Sequence, residues 1–184
     1  SLGQARGNIY LAGKCWAAYL GLEKLLGDLG EEAGAAEAHS AAVRCAATLE
    51  NAFDEQLGFI PAVLKSDNQS AIIPAVEALI YPWQMGLKEA IAEDGPYGGY
   101  IRMLKRHTEN ILKPGICLYE DGGWKLSSSA DNSWMSKICL SQLVVREILG
   151  LRYEGEERAD RAHVQWEAEG AKWYACSDQF SSGK

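Results

Sequence analysis

The chain has 184 residues, 47% hydrophobic and 23% charged, and its 18 Lys and Arg against 25 Asp and Glu leave a formal charge of −7. That length suits one globular domain or a piece of a larger one, and a composition so near the average excludes intrinsic disorder and low-complexity fibres. With a pI near 5.0 and no run of Lys or Arg, the sequence argues against a nucleic-acid partner, because phosphates demand a clustered positive face.

Taken in chain order, Tyr10, Leu11, Lys14, Cys15, Ala18, Tyr19, Leu22, Leu25 and Leu26 recur at three- and four-residue spacing, which predicts a long helix from Asn8 to Leu26 closed by Gly27 and Gly30. An Ala-rich amphipathic helix follows from about Glu31 to Phe53, with Ala35, Ala38, Ala42, Cys45, Leu49 and Phe53 on its packing stripe. Gly58 to Leu64 reads as extended chain, and the polar run Lys65 to Ser70 as a capped helix start. The third helix, Ser70 to Leu87, is apolar nearly all round and is expected to be buried on several sides. After Gly95-Pro96, Tyr97 to Leu112 shows one apolar face of Tyr100, Ile101, Leu104, His107, Thr108 and Ile111, with Arg102, Lys105 and Arg106 outside. Gly115 to Ser129 is a loop with strand character, Ser127 to Ser133 caps a fifth apolar helix from Trp134 to Leu149, and an acidic helix runs through Arg161 to Glu169.

Buried and amphipathic helices therefore alternate. Three helical hairpins at a period of about 60 residues are too long for tetratricopeptide or ankyrin units. The predicted fold class is all-α, a partial α/α toroid in which inner helices touch neighbours on both sides and outer helices touch inner ones only. Residues 1–184 are expected to be a fragment of one toroid domain. Three hairpins leave a seam, expected around Ile72, Val76 and Ile80, to be covered by the rest of a ring or by a second copy in a homo-oligomer.

The longest apolar stretch, Ala71 to Trp83, is interrupted by Pro74, Glu77 and Pro82 and falls short of the roughly 20 residues a membrane helix needs, so no membrane association is expected. The N-terminus carries no signal-peptide pattern and reads as an internal cut. Cys15, Cys45, Cys117, Cys139 and Cys176 are widely spaced, which disfavours zinc and a disulfide framework. Cys15, Cys45 and Cys139 are expected to be buried apolar groups, and free thiols fit a reducing cytoplasm. No cofactor is implied. His39, His107 and His163 lack metal-ligand spacing and read as surface or packing groups, and no metal is expected.

In a toroid the N-termini of the inner helices meet at one rim. Those ends carry Gln4 and Arg6, then Asn68 and Gln69, then Asp131, Asn132 and Trp134. Amides, an acid and an indole suit a polyhydroxylated ligand: paired hydrogen bonds for its hydroxyls and an aromatic face for its C–H surface. The competing reading is helix capping. Glu120-Asp121-Gly122-Gly123-Trp124-Lys125 sets two carboxylates beside an aromatic, and a solvated turn explains the acids best.

The stretch from Ser1 to Lys14, the phrase Asn68 to Ala75, the segment Asp121 to Ser128 with Asp131-Asn132-Ser133-Trp134, and the tail Trp173 to Phe180 together resemble glycoside hydrolase family 52, the retaining β-xylosidases. The resemblance implies an N-terminal β-sandwich and an α/α toroid, of which this chain is the last part. It also implies a xylose or xylo-oligosaccharide substrate, and a substrate-binding set of Asp131, Asn132, Trp134, Asn68, Gln69, Trp124 and Lys125. The family's Glu nucleophile and Asp acid/base would lie before Ser1. No catalytic residue is then expected in this chain, since retention needs two carboxyl groups roughly 5–5.5 Å apart. Rival readings are a non-catalytic helical interaction module and a related toroid β-glucosidase.

Overall fold

A computed structural model describes residues 5–171 and 178–181. The chain is mostly helical: α1 spans Ile9–Asp28, α2 Glu32–Glu50, α3 Ile80–Gln84, α4 Gly98–Ile111, α5 Met135–Leu143 and α6 Glu156–Ala171. Two short strands, β1 (Asn132–Trp134) and β2 (Gln179–Ser181), pair antiparallel with Ser133 opposite Phe180. The alternation expected of an α/α toroid is present. The segments expected to be inner, namely α1, Ile73–Leu79 and α5, lie side by side, and α2 and α4 pack behind them with α2 against both α1 and α4.

Local chemistry explains each element. The Asn8 side chain accepts from the Tyr10 N–H at 2.9 Å and starts α1. In α2 the buried residues are Ala38, Ala41, Ala42, Ala46 and Leu49, small enough for close approach to α1. The apolar face of α4 is buried as its spacing predicts, including Tyr100, Leu104, His107 and Ile111. Trp16 of α1 meets Tyr97 and Tyr100 edge-on at 5.5 and 5.2 Å, joining first and second hairpins.

The third element departs from the continuous helix the sequence suggests. Ile73–Leu79 is 3-10, and only Ile80–Gln84 is α-helical. Pro82 has no N–H to give the Ala78 carbonyl, so the regular bonding of an α-helix cannot run through this stretch. The fifth element likewise begins as strand, becomes helix at Met135 and widens into a π-turn over Val144–Ile148 before Gly150. The sixth is longer than its acidic pattern suggests and buries Ala159, Ala162, His163 and Trp166.

Two expectations about exposure are corrected. Ile72, Val76 and Ile80 do not form a seam; they are 1%, 1% and 6% exposed. Their segment is the middle one of three and is covered on both flanks by α1 and α5. The uncovered apolar surface lies instead on α1, where Leu11, Cys15, Ala18, Leu22, Leu25 and the following Leu29 are all exposed. For the same reason Cys15 is exposed rather than buried. Cys139 is exposed too, Cys45 is half-buried, and Cys176 lies outside the described residues.

Candidate functional site

The starts of the three inner segments are tied together by backbone and serine hydrogen bonds. Leu64 N–H donates to the Gly7 carbonyl and Ile9 N–H to the Ala62 carbonyl, at 2.8 and 3.1 Å. Ser70 Oγ donates to Ser129 Oγ at 2.8 Å, and Ala71 N–H to Ser128 Oγ at 2.9 Å. Ser128 N–H returns to the Ala71 carbonyl at 3.0 Å. This is the rim at which the sequence expects its polar residues to converge.

Asn68 is half-buried and accepts from the Ser70 N–H at 3.1 Å, a turn-forming bond rather than a helix cap. Gln69 beside it is exposed, as is Arg6, and Gln4 lies outside the described residues. Asp131 is not the cap of α5. The first N–H groups of that helix are met by a residue distant in sequence: Met135 N–H donates to the Asp178 carbonyl, and Ser136 N–H to Asp178 Oδ1, both at 2.7 Å. Asp131, 69% exposed at its side chain, instead holds Lys125 at 2.9 Å. Asn132 Oδ1 and Trp134 Nε1 are buried polar atoms with no hydrogen-bond partner among the described residues. Lys125 and Asp131 are thus joined directly, and the segments that carry Asn68 and Asp131 meet through Ser70 and Ser129.

Trp124 is placed differently. Its ring is 0% exposed, its Nε1–H donates to Tyr153 Oη at 2.7 Å, and its backbone N–H donates to His163 Nε2 at 3.0 Å. No ring face is left for a ligand, so the expectation of a binding aromatic is corrected to a supporting one beneath Lys125. The turn before it is structural as well. Asp121 Oδ1 accepts from the Gly123 N–H and Oδ2 from Trp166 Nε1–H, both at 2.9 Å, and a Cβ on Gly123 would stand 2.2 Å from the Trp166 ring.

One turn further along the inner segments lies a cluster that sequence reasoning missed. Glu77, 3% exposed, is flanked by Lys14 Nζ at 2.9 Å from Oε1 and Lys137 Nζ at 2.9 Å from Oε2. Both ammoniums also donate to Tyr10 Oη, at 2.6 and 2.7 Å, and stand over its ring. Burial works against the Glu77 charge, but hydrogen bonds from Lys14 and Lys137 outweigh it and hold the carboxyl below its ordinary value. Burial likewise opposes the charge on each lysine. The bonds to Tyr10 and Glu77 prevail and raise both. The signal was present in the sequence: an acid inside the apolar run Ile72–Ile80 must find a counter-charge, and Lys14 sits on the apolar helix beside it.

The histidines are packing groups. Ile60 N–H donates to His107 Nδ1 at 3.1 Å, which leaves Nε2–H to donate to the Ile72 carbonyl at 3.1 Å. Burial lowers both His107 and His163 to about 4. His39 is exposed and faces Glu23 at 3.0 Å. Among the described residues no group of three or more His, Cys, Asp or Glu could hold a metal ion, and no helix is long and apolar enough to cross a membrane.

The chain is similar to a protein named beta-xylosidase from Geobacillus stearothermophilus, with 51% identity over 167 residues. That alignment covers 90% of this chain and 24% of the relative, so the chain spans about a quarter of the length of the curated protein it matches. No family model matches the chain.

Proposed function

We propose that this chain is part of a glycoside hydrolase of the β-xylosidase type, resembling family 52, that cleaves β-xylosides or xylo-oligosaccharides with retention. The catalytic Glu and Asp come from sequence outside these residues. The chain supplies toroid scaffold and one arc of the sugar-binding rim. Its partners are a small carbohydrate substrate, the remaining toroid hairpins and a β-sandwich domain, and free thiols at Cys15 and Cys139 fit a reducing cytoplasm. The likeness to a beta-xylosidase supports the reaction class.

The observation that carries the rim assignment is that Asp131 is relieved of capping by Asp178. An exposed carboxylate ion-paired to Lys125 and not engaged in capping can accept from sugar hydroxyls. In the full-length protein, Asp131→Asn turns an acceptor into a donor. It should lower kcat/KM for an aryl β-xyloside by roughly 5- to 150-fold, about 1–3 kcal/mol, with the melting temperature nearly unmoved. Unchanged kinetics would remove Asp131 from the site. Running aryl β-glucoside beside aryl β-xyloside separates a xylosidase from a toroid β-glucosidase. Absence of both activities in the full-length protein would favour a non-catalytic interaction module.

A further inference from the structure

The charge balance of the Lys14–Glu77–Lys137 cluster is incomplete. Two ammoniums share one carboxylate, and both oxygens of that carboxylate are taken. Among the described residues no other acid is within ion-pair distance of either lysine, and residues 1–4, 172–177 and 182–184 include no Asp or Glu. The Lys14 and Lys137 side chains are 29% and 21% exposed, in contrast to Glu77 between them. An ammonium has three N–H donors, and Lys137 commits two, to Tyr10 and Glu77. Lys14 commits two to the same partners and also interacts with Tyr81, whose ring centre is 5.7 Å away and whose hydroxyl helps to hold its charge.

Beside the cluster is a cleft of about 420 Å³ lined by Lys14, Ala17, Ala18, Gly21, Tyr81, Gln84 and Met85. That volume accepts a sugar ring. Its lining joins the attributes of a saccharide contact, an exposed Tyr ring and an amide, to one unbalanced positive charge, and contains no acid.

We propose that this cleft is a subsite for a carboxylate-bearing sugar, a uronic acid unit, with Lys14 taking the carboxylate, Lys137 behind it compensating Glu77 so that the Lys14 charge stays free for the ligand, and the Tyr81 ring taking the sugar's C–H face. A single excess positive charge matches a monoanionic carboxylate better than a dianionic phosphate. Tyr10 and Glu77 are positioning residues: they hold the two ammoniums side by side and keep Lys14 at the edge of the cleft. The choice of a saccharide as carrier rests on the glycosidase reading above.

The test titrates the full-length protein with D-glucuronate, with glucose as its uncharged counterpart and acetate as the carboxylate alone, and follows binding by calorimetry. Glucuronate should bind at least about tenfold more tightly than either control, and more weakly as salt rises. Lys137→Gln should abolish most of that preference, and Lys137→Arg should keep it. Because Lys137→Gln leaves Glu77 with one counter-charge fewer, Tyr81→Ala serves as a second variant; it removes the sugar platform while both ammoniums and the Glu77 carboxylate remain, and should weaken glucuronate about tenfold. Equal binding of glucuronate and glucose, or a preference that survives both variants, would overturn the subsite, and acetate matching glucuronate would overturn the sugar. Turnover is not needed for the readout. A protein that prefers glucuronate but cleaves no xyloside loses only the glycosidase reading, and one that cleaves xylosides without the preference loses only the subsite.

Discussion

Ile72–Ile80 and the outer face of α1 are both apolar, yet they meet opposite fates. Every residue from Ala71 to Ile80 is buried, Glu77 included. On α1, Leu11, Cys15, Ala18, Leu22 and Leu25, continued by Leu29, recur at alternating spacings of four and three residues and are all exposed. That is the stripe of a helix made to lie along another helix. The contrast teaches that apolar patterning reports a demand for cover, whereas position in the row of hairpins decides whether this chain meets it. The middle segment has neighbours on both sides, and α1 stands at the end of the row.

Acid should act on the covered region first, and with the largest effect. His107 is bonded to Ile60 and Ile72, His163 to Trp124, and both are held near 4. As pH falls from the ordinary imidazole value near 6.5 towards 4, the unfolded chain takes up protons that the folded chain refuses. Stability present above pH 6.5 is thus lost across that window, by up to about 3 kcal/mol for each histidine. Urea unfolding from pH 7.5 to 4.5 measures it, and His107→Gln should remove about half of the slope. A stability that is flat across this range would refute neutral buried imidazoles.

Truncation sharpens the comparison directly. Leu79→Ala, in the covered segment, should cost about 2–5 kcal/mol, while Leu25→Ala on the exposed stripe should cost less than about 0.5 kcal/mol in the 184-residue chain. In the full-length protein, where other hairpins are proposed to cover Leu11, Leu22 and Leu25 beside the cleft at Lys14, Leu25→Ala should approach the Leu79→Ala value. The same small effect in both settings would mean that the stripe stays bare. A dye that reports apolar surface should bind the 184-residue chain and lose signal when Leu22 and Leu25 are changed to Lys together.

The smallest effect separates the two aspartates at the start of α5. Asp178→Ala should cost about 1 kcal/mol as a lost cap, and Asp131→Ala a few tenths, since it removes only an exposed ion pair with Lys125. Thermal melts of the two variants side by side decide this, and a reversed order would return the capping role to Asp131.

Much of the fold was written in local patterns. Helical periodicity marks α1, α2 and α4 to within a few residues because one face of each packs and the other meets water. The convergence of segment starts near Asn68 and Asp131 followed from the alternation of buried and amphipathic helices. Tertiary structure decided what no local pattern holds. Asp178, distant in sequence, supplies the cap that the sequence assigns to Ser127–Ser133, because β1 pairs with β2 and brings it there. Trp124, a binding aromatic by its polar neighbours, was drawn into the core by Tyr153 and His163. The Lys14–Glu77–Lys137 cluster joins three segments across as many as 127 residues, from Tyr10 to Lys137. Periodicity shows which side of a helix is apolar; which charges come within 3 Å depends on long-range packing that brings distant segments together.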